Sequence, residues 1–271
     1  LYILLFVPLA LFGQENYSLS FDGVNDYVKI NAGSDLYGNQ GDFTLQFRIT
    51  LSQSDTIPNQ MPLIESNYQN NLSLHLVGAD MTSFSNGIQY ELSLNLADNT
   101  NQSSEFTFNS HLTLFNYNEP YTISVAVSSN SIVFYSNGEV IPNNSPLVDP
   151  IPNRFFNTLN IGKDDDYDDD KYFLGSIDYF KFYDRILSID EIDSSSTCSS
   201  INYNGLIGYW GFNEGQGNIA YDFSDNQINA EIYGASFNIE QNYESCEYLG
   251  CMNSDALNYD ETATDAGACT F

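Results

Sequence analysis

Three stretches of strict alternation constrain this chain more than any other feature. Ile88, Tyr90, Leu92, Leu94 and Leu96 interleave with Gln89, Glu91, Ser93 and Asn95, and a period of two puts every apolar side chain on one face of a strand. Phe43, Leu45, Phe47 and Ile49 alternate with Thr44, Gln46 and Arg48, and Tyr121, Ile123, Val125 and Val127 follow the same rhythm. Such strands need a second layer to cover the apolar face. Turn clusters at Asp22-Gly23, Asn86-Gly87, Ser128 to Ser131 and Asn137-Gly138 separate the runs. The expected fold is therefore all-β, an antiparallel two-sheet sandwich.

Two local features refine this. Ile177, Phe180 and Phe182 cannot all face one side of a regular strand, so a bulge is expected near Asp178 and Tyr179. Gly23 and Gly175 are read as turn positions that need backbone freedom. The one convincing helix starts at Ser188 and runs to Ile192, because Ser188 and Glu191 have the spacing of a capping box.

Charge narrows the partners. The chain has 7 Lys+Arg against 36 Asp+Glu, a formal net charge of −29. That leaves no basic surface for phosphates, so nucleic acid and anionic membrane are excluded as partners. Such an excess of carboxylates is eased by salt and divalent cations. Hydrophobic residues at 42%, with 19 Phe and 20 Tyr, still suffice for a sizeable core.

The apolar run Leu1 to Gly13 stops at Gln14-Glu15-Asn16. It is too short to span a bilayer and has the texture of a secretory signal peptide over residues 1–14. With no initiator Met and no basic flank, its start is expected to lie upstream, and the mature protein is expected to be secreted or on the cell surface. All four cysteines, Cys198, Cys246, Cys251 and Cys269, fall near the C-terminal end, where export favours disulfides. Three pairings are open. Cys198 with Cys246 and Cys251 with Cys269 is the expected one, since the first pair brackets a Trp-containing segment and the second a small acidic module. Zinc ligation is the rival, without a Cys-x-x-Cys spacing to support it.

Residues 18–28, SLSFDGVNDYV, resemble the "FDGxxDYV" opening of laminin-G-like, concanavalin A-like jelly-roll domains. Ile123 to Glu139, Asn160-Ile161-Gly162 and the closing FLGSIDYFKFYDRILS of residues 173–188 resemble further elements of that family in order and spacing. The resemblance covers about residues 15–193. Residues 205–237 resemble the "GYWxFNEGxG" segment that normally precedes the opening strand, yet here they follow the closing one. Too short to complete a sandwich alone, the 194–246 segment is expected to pack on the first domain as a permuted edge, burying Trp210 and Phe212. Residues 247–271 resemble a partial "GCTDPxAxNYDPxAxxDDGSC" repeat of large surface proteins of Bacteroidetes-type bacteria.

Some members of the wider superfamily are glucanases with two carboxylates on one strand, spelled Glu-x-Asp-x-x-Glu or Glu-x-Asp-x-Glu. Neither spacing occurs here, although retaining glycosidases need a carboxylate pair about 5 Å apart. His75 stands in a strand-like run, Leu72 to Val77, with no Gly-x-Ser-x-Gly motif to make it part of a triad; it reads as a wet-face or satisfied core residue. The acidic run Asp164 to Asp170 lacks the turn glycine and ligand spacing of an EF-hand and reads as a solvated loop.

The resemblance implies a non-catalytic glycan-binding or adhesion module of a larger secreted or cell-surface protein, with a polysaccharide or glycoprotein glycan and neighbouring domains as partners. A structural spacer is the alternative, and a polysaccharide hydrolase a minor one. Tyrosines are candidate sugar platforms, without a particular site. The resemblance also implies one calcium ion where the opening and closing strands meet, held by Asp22 and Asp178. The plainer reading of those residues is that Asp22 caps its own turn and Asp178 accepts hydrogen bonds at the bulge.

Overall fold

The computed structural model describes residues 17–31, 41–54, 58–66, 72–78, 87–97, 105–143, 158–164, 171–196, 202–239, 249–250 and 265–266. The N-terminal apolar run, residues 165–170 of the acidic run, and all four cysteines with their expected pairing lie outside the described residues.

Two antiparallel sheets enclose one core. The first runs β11 (Glu139–Ile141), β10 (Ile132–Ser136), β9 (Pro120–Val127), β3 (Phe43–Leu51), β15 (Leu174–Tyr183), β1 (Tyr17–Asp22) and β19 (Ser236–Ile239), with β16 (Leu206–Trp210) also paired to β15. The second runs β17 (Ile219–Ala220), β18 (Ala230–Tyr233), β2 (Tyr27–Asn31), β12 (Thr158–Ile161), β4 (Gln60–Ser66), β5 (Leu72–Val77), β6 (Gly87–Ala97) and β7 (Glu105–Asn109), with β8 (Thr113–Asn116) also on β6. A short hairpin of β13 (Lys163–Asp164) and β14 (Lys171–Tyr172) stands beside them. The alternating residues behave as their period requires. Leu45, Phe47 and Ile49, Ile123 and Val125, and Leu92, Leu94 and Leu96 all enter one hydrophobic cluster.

The expected bulge is present: the pairing of β15 with β3 shifts between Ile177 and Tyr179, which lets Ile177, Phe180 and Phe182 share the core. A second shift, in β4 between Pro62 and Ile64, falls where proline interrupts a ladder least. Gly175 departs from expectation. It lies inside β15 rather than in a turn, at φ 150°, with Thr50 O of β3 crossing where a Cβ would be.

Helix α1 (Ile189–Ser196) extends past the expected end. The Ser188 amide donates to Glu191 Oε2 at 2.8 Å and the Glu191 amide to Ser188 Oγ at 3.3 Å, which completes the capping box. Both Arg185 terminal nitrogens donate to the same carboxylate, and that fork holds Glu191 down at about 2. Among the described residues no helix is long and apolar enough to cross a membrane.

The segment after α1 joins both sheets. β16 pairs with β15, placing Trp210 opposite Phe180; β18 pairs with β2 and β19 with β1. Trp210 and Phe212 are fully buried.

Outside the core, Lys181 is 3% exposed, its ammonium 4.4 Å from the Tyr179 ring and 5.2 Å from that of Tyr209. Burial lowers its pKa from 10.5 to about 8. Between those values the unfolded chain holds a proton that the folded chain has released, so stability rises with pH across the window, by up to about 3 kcal/mol. Burial also pushes the phenol of Tyr179 up to about 12 and raises those of Tyr90 and Tyr183. Above about pH 10, where an unfolded tyrosine ionises, the sign reverses and stability falls. Calorimetry should show the melting temperature climbing from pH 8 to a maximum near 10. Lys181→Met should lose the climb; an unchanged profile in that variant would remove lysine as its source.

Candidate functional site

The same alternation that fills the core lays polar residues along the outer face of the second sheet. Register aligns Glu231, Lys29, Asn160, Glu65, Ser73, Asn95 and Thr107 in one row across β18, β2, β12, β4, β5, β6 and β7. The row is open at the β18 end, where Glu231 is exposed, and closes toward the centre, where Asn160 and Ser73 are buried. At the open end Tyr27 and Tyr233 sit opposite each other and stack, with ring centroids 4.5 Å apart and planes 4° from parallel. Lys163 Nζ lies 5.3 Å from the Tyr27 ring. The Tyr233 hydroxyl donates to Glu231.

At the buried centre of the row three strands bring Glu65, His75 and Asp164 together, one ligand-capable atom from each lying within 4.8 Å of the others. His75 Nε2 is 3.8 Å from Glu65 Oε2 and 3.9 Å from Asp164 Oδ2. His75 and Asp164 are each 4% exposed. The ring's other nitrogen, Nδ1, is hydrogen-bonded to the Gln60 amide, which also lies 3.5 Å from Asp164 Oδ2. Strand alternation places Glu65 and His75 on the outer face, and the hairpin carries Asp164 over them.

Asp22 and Asp178 are not brought together. Asp22 pairs with Leu174 in β15, and Asp178 stands four residues further along, roughly 13 Å away at strand rise. Asp22 Oδ1 accepts the amides of Val24 at 2.8 Å and Asn25 at 3.4 Å, while Asp26 Oδ2 accepts the amide of Asp22 at 2.8 Å. Burial raises the Asp26 carboxyl above its ordinary value. Asp178 Oδ2 accepts Arg48 Nε at 2.9 Å at the bulge. Calcium wants six to eight oxygens around one point, and these two carboxylates face different partners, so they do not form the expected shared site.

The outer-face cluster escaped sequence reasoning because Asp164 is far from Glu65 in the chain and the β4–β5 register depends on the bulge after Pro62. The only available signal was the polar parity of Glu65 and His75.

No curated protein matches the chain. Among solved structures, a candidate carbohydrate-binding protein from Bacteroides ovatus is similar at 12% identity and a TM-score of 0.60, over 84% of this chain and 61% of that one. The chain thus spans under two thirds of that protein's length. The heptameric SAP-like pentraxin of Limulus polyphemus is similar at 15% identity and a TM-score of 0.54, over 84% and 96% of the two chains. These likenesses show the sandwich fold. Strands β16 to β19 lie beyond the family match, which is to the concanavalin A-like lectin/glucanases superfamily; because it takes in residues 22–193, more than half of the chain, the chain belongs to that superfamily.

Proposed function

We propose that this chain is a non-catalytic carbohydrate-binding or adhesion module of a larger exported protein. The observation that carries the reading is the outer face of the second sheet, where the Tyr27–Tyr233 pair borders a row of carboxylate, amine and amide groups. A ring face packs on the apolar face of a pyranose, and charged or amide groups bind its hydroxyls. The likeness to a candidate carbohydrate-binding protein from Bacteroides ovatus points the same way.

Hydrolysis is the weaker reading on geometry. Glu65 and Asp164 have carboxylate oxygens within 4.8 Å, close to the separation of a retaining pair. However, His75 stands against both at 3.8 and 3.9 Å, and Asp164 is buried, so a sugar ring has no place between them.

A glycan array with the intact chain, with and without calcium, tests the proposal. Binding to a defined glycan class is expected, weakened about 10-fold by Tyr233→Ala, the loss of one ring platform. Folded protein that binds nothing under either condition would leave the spacer reading standing instead. Release of sugars from β-glucan by purified protein would restore the hydrolase.

A further inference from the structure

The cluster at the buried centre of the row has the chemistry of a metal centre, and calcium is not the ion it suits. One imidazole nitrogen and two carboxylate oxygens, from β5, β4 and β13, lie within 4.8 Å of one another. The separations of 3.8 and 3.9 Å are too long for N–H···O hydrogen bonds. They are a few tenths of an ångström wider than the edge of a tetrahedron about zinc, about 3.4 Å for bonds near 2.1 Å, and the third edge, Glu65 to Asp164, lies within 4.8 Å, so the two carboxylate side chains would swing inward to close the set. Nitrogen and carboxylate donors together select zinc and its neighbours over calcium, which takes oxygen alone. A metal-binding histidine needs a partner on its other ring nitrogen to fix tautomer and orientation, and Gln60 is already on Nδ1. The Gln60 amide nitrogen faces Nδ1; reversing that amide puts its oxygen on Nδ1–H and leaves the Nε2 lone pair to face Glu65 and Asp164.

We propose that Glu65, His75 and Asp164 bind one zinc-class divalent ion, leaving a fourth position for water or an outside ligand, with Gln60 as the positioning residue. The ion would tie the β13–β14 hairpin to the outer face of the second sheet, independently of any glycan.

The test uses the full chain stripped with EDTA, supplied with zinc chloride, desalted and assayed by elemental analysis. One equivalent of zinc is expected to stay bound, and a hundredfold excess of calcium should not displace it. The chain has two histidines, so ring-nitrogen NMR separates them: zinc should shift His75 and leave the exposed His111 unmoved. Asp164→Asn should retain less than a tenth of an equivalent. Gln60→Ala, with all three ligands intact, should bind roughly 10-fold more weakly. Zinc retained at one equivalent in Asp164→Asn, displacement by calcium, or zinc bound without a change at His75 would each overturn the site. Should the variants fail to fold, the NMR measurement on the wild type decides alone.

Discussion

Replacing Trp210 with alanine lowers stability by about 3–5 kcal/mol and the melting temperature by roughly 10 °C. The side chain is fully buried, stacks on Phe180 with centroids 5.5 Å apart and planes 8° from parallel, and donates its indole N–H to Ile228 O at 2.9 Å. Phe180 in turn stacks on Phe47 of β3 at 4.5 Å. Truncation therefore opens a cavity at the junction of β16, β15 and β3 and leaves the Ile228 carbonyl without its donor. Denaturation followed by circular dichroism, with exposed Tyr221→Ala as the control, makes the measurement. A loss below about 1 kcal/mol would mean that residues 202–239 contribute little to the sandwich.

Gly175→Ala should be at least as damaging, at about 3 kcal/mol or more. An added Cβ would stand 2.2 Å from Thr50 O and 3.2 Å from Leu51 Cα, both backbone atoms of β3, at a backbone φ of 150°. Neither can retreat without parting β15 from β3. Gly217→Ala separates clash from backbone strain: φ there is 92°, but nothing lies within 4 Å of the new Cβ, so about 1 kcal/mol is expected. Equal losses in the two variants would show that the contact with β3 does not set the cost.

What was legible in the sequence follows from which forces act locally. Alternation in Ile88 to Leu96 is written residue by residue, and burial follows it. The bulge at Asp178 could be read because three core residues conflicted with a period of two, and the cap at Ser188 because its partner is three residues away. The outer-face cluster was hidden because it depends on register between distant strands, and register turns on one extra residue after Pro62. Placing calcium between Asp22 and Asp178 failed for the same reason: the motif gives the residues, but pairing sets Leu174 opposite Asp22.

The position of the two N-terminal strands has a consequence for the order of events during synthesis. β1 lies between β15 and β19, and β2 between β12 and β18, so each is an interior strand that one late partner must flank. A ribosome delivers the chain from its N-terminus, at about 5–20 residues per second. Until residues 206–239 emerge, β1 and β2 each present a row of unpaired amides and carbonyls to any neighbouring chain. The fold therefore cannot close in step with translation. It must wait for its last strands, through the interval in which a nascent β protein is most exposed to pairing with the wrong one.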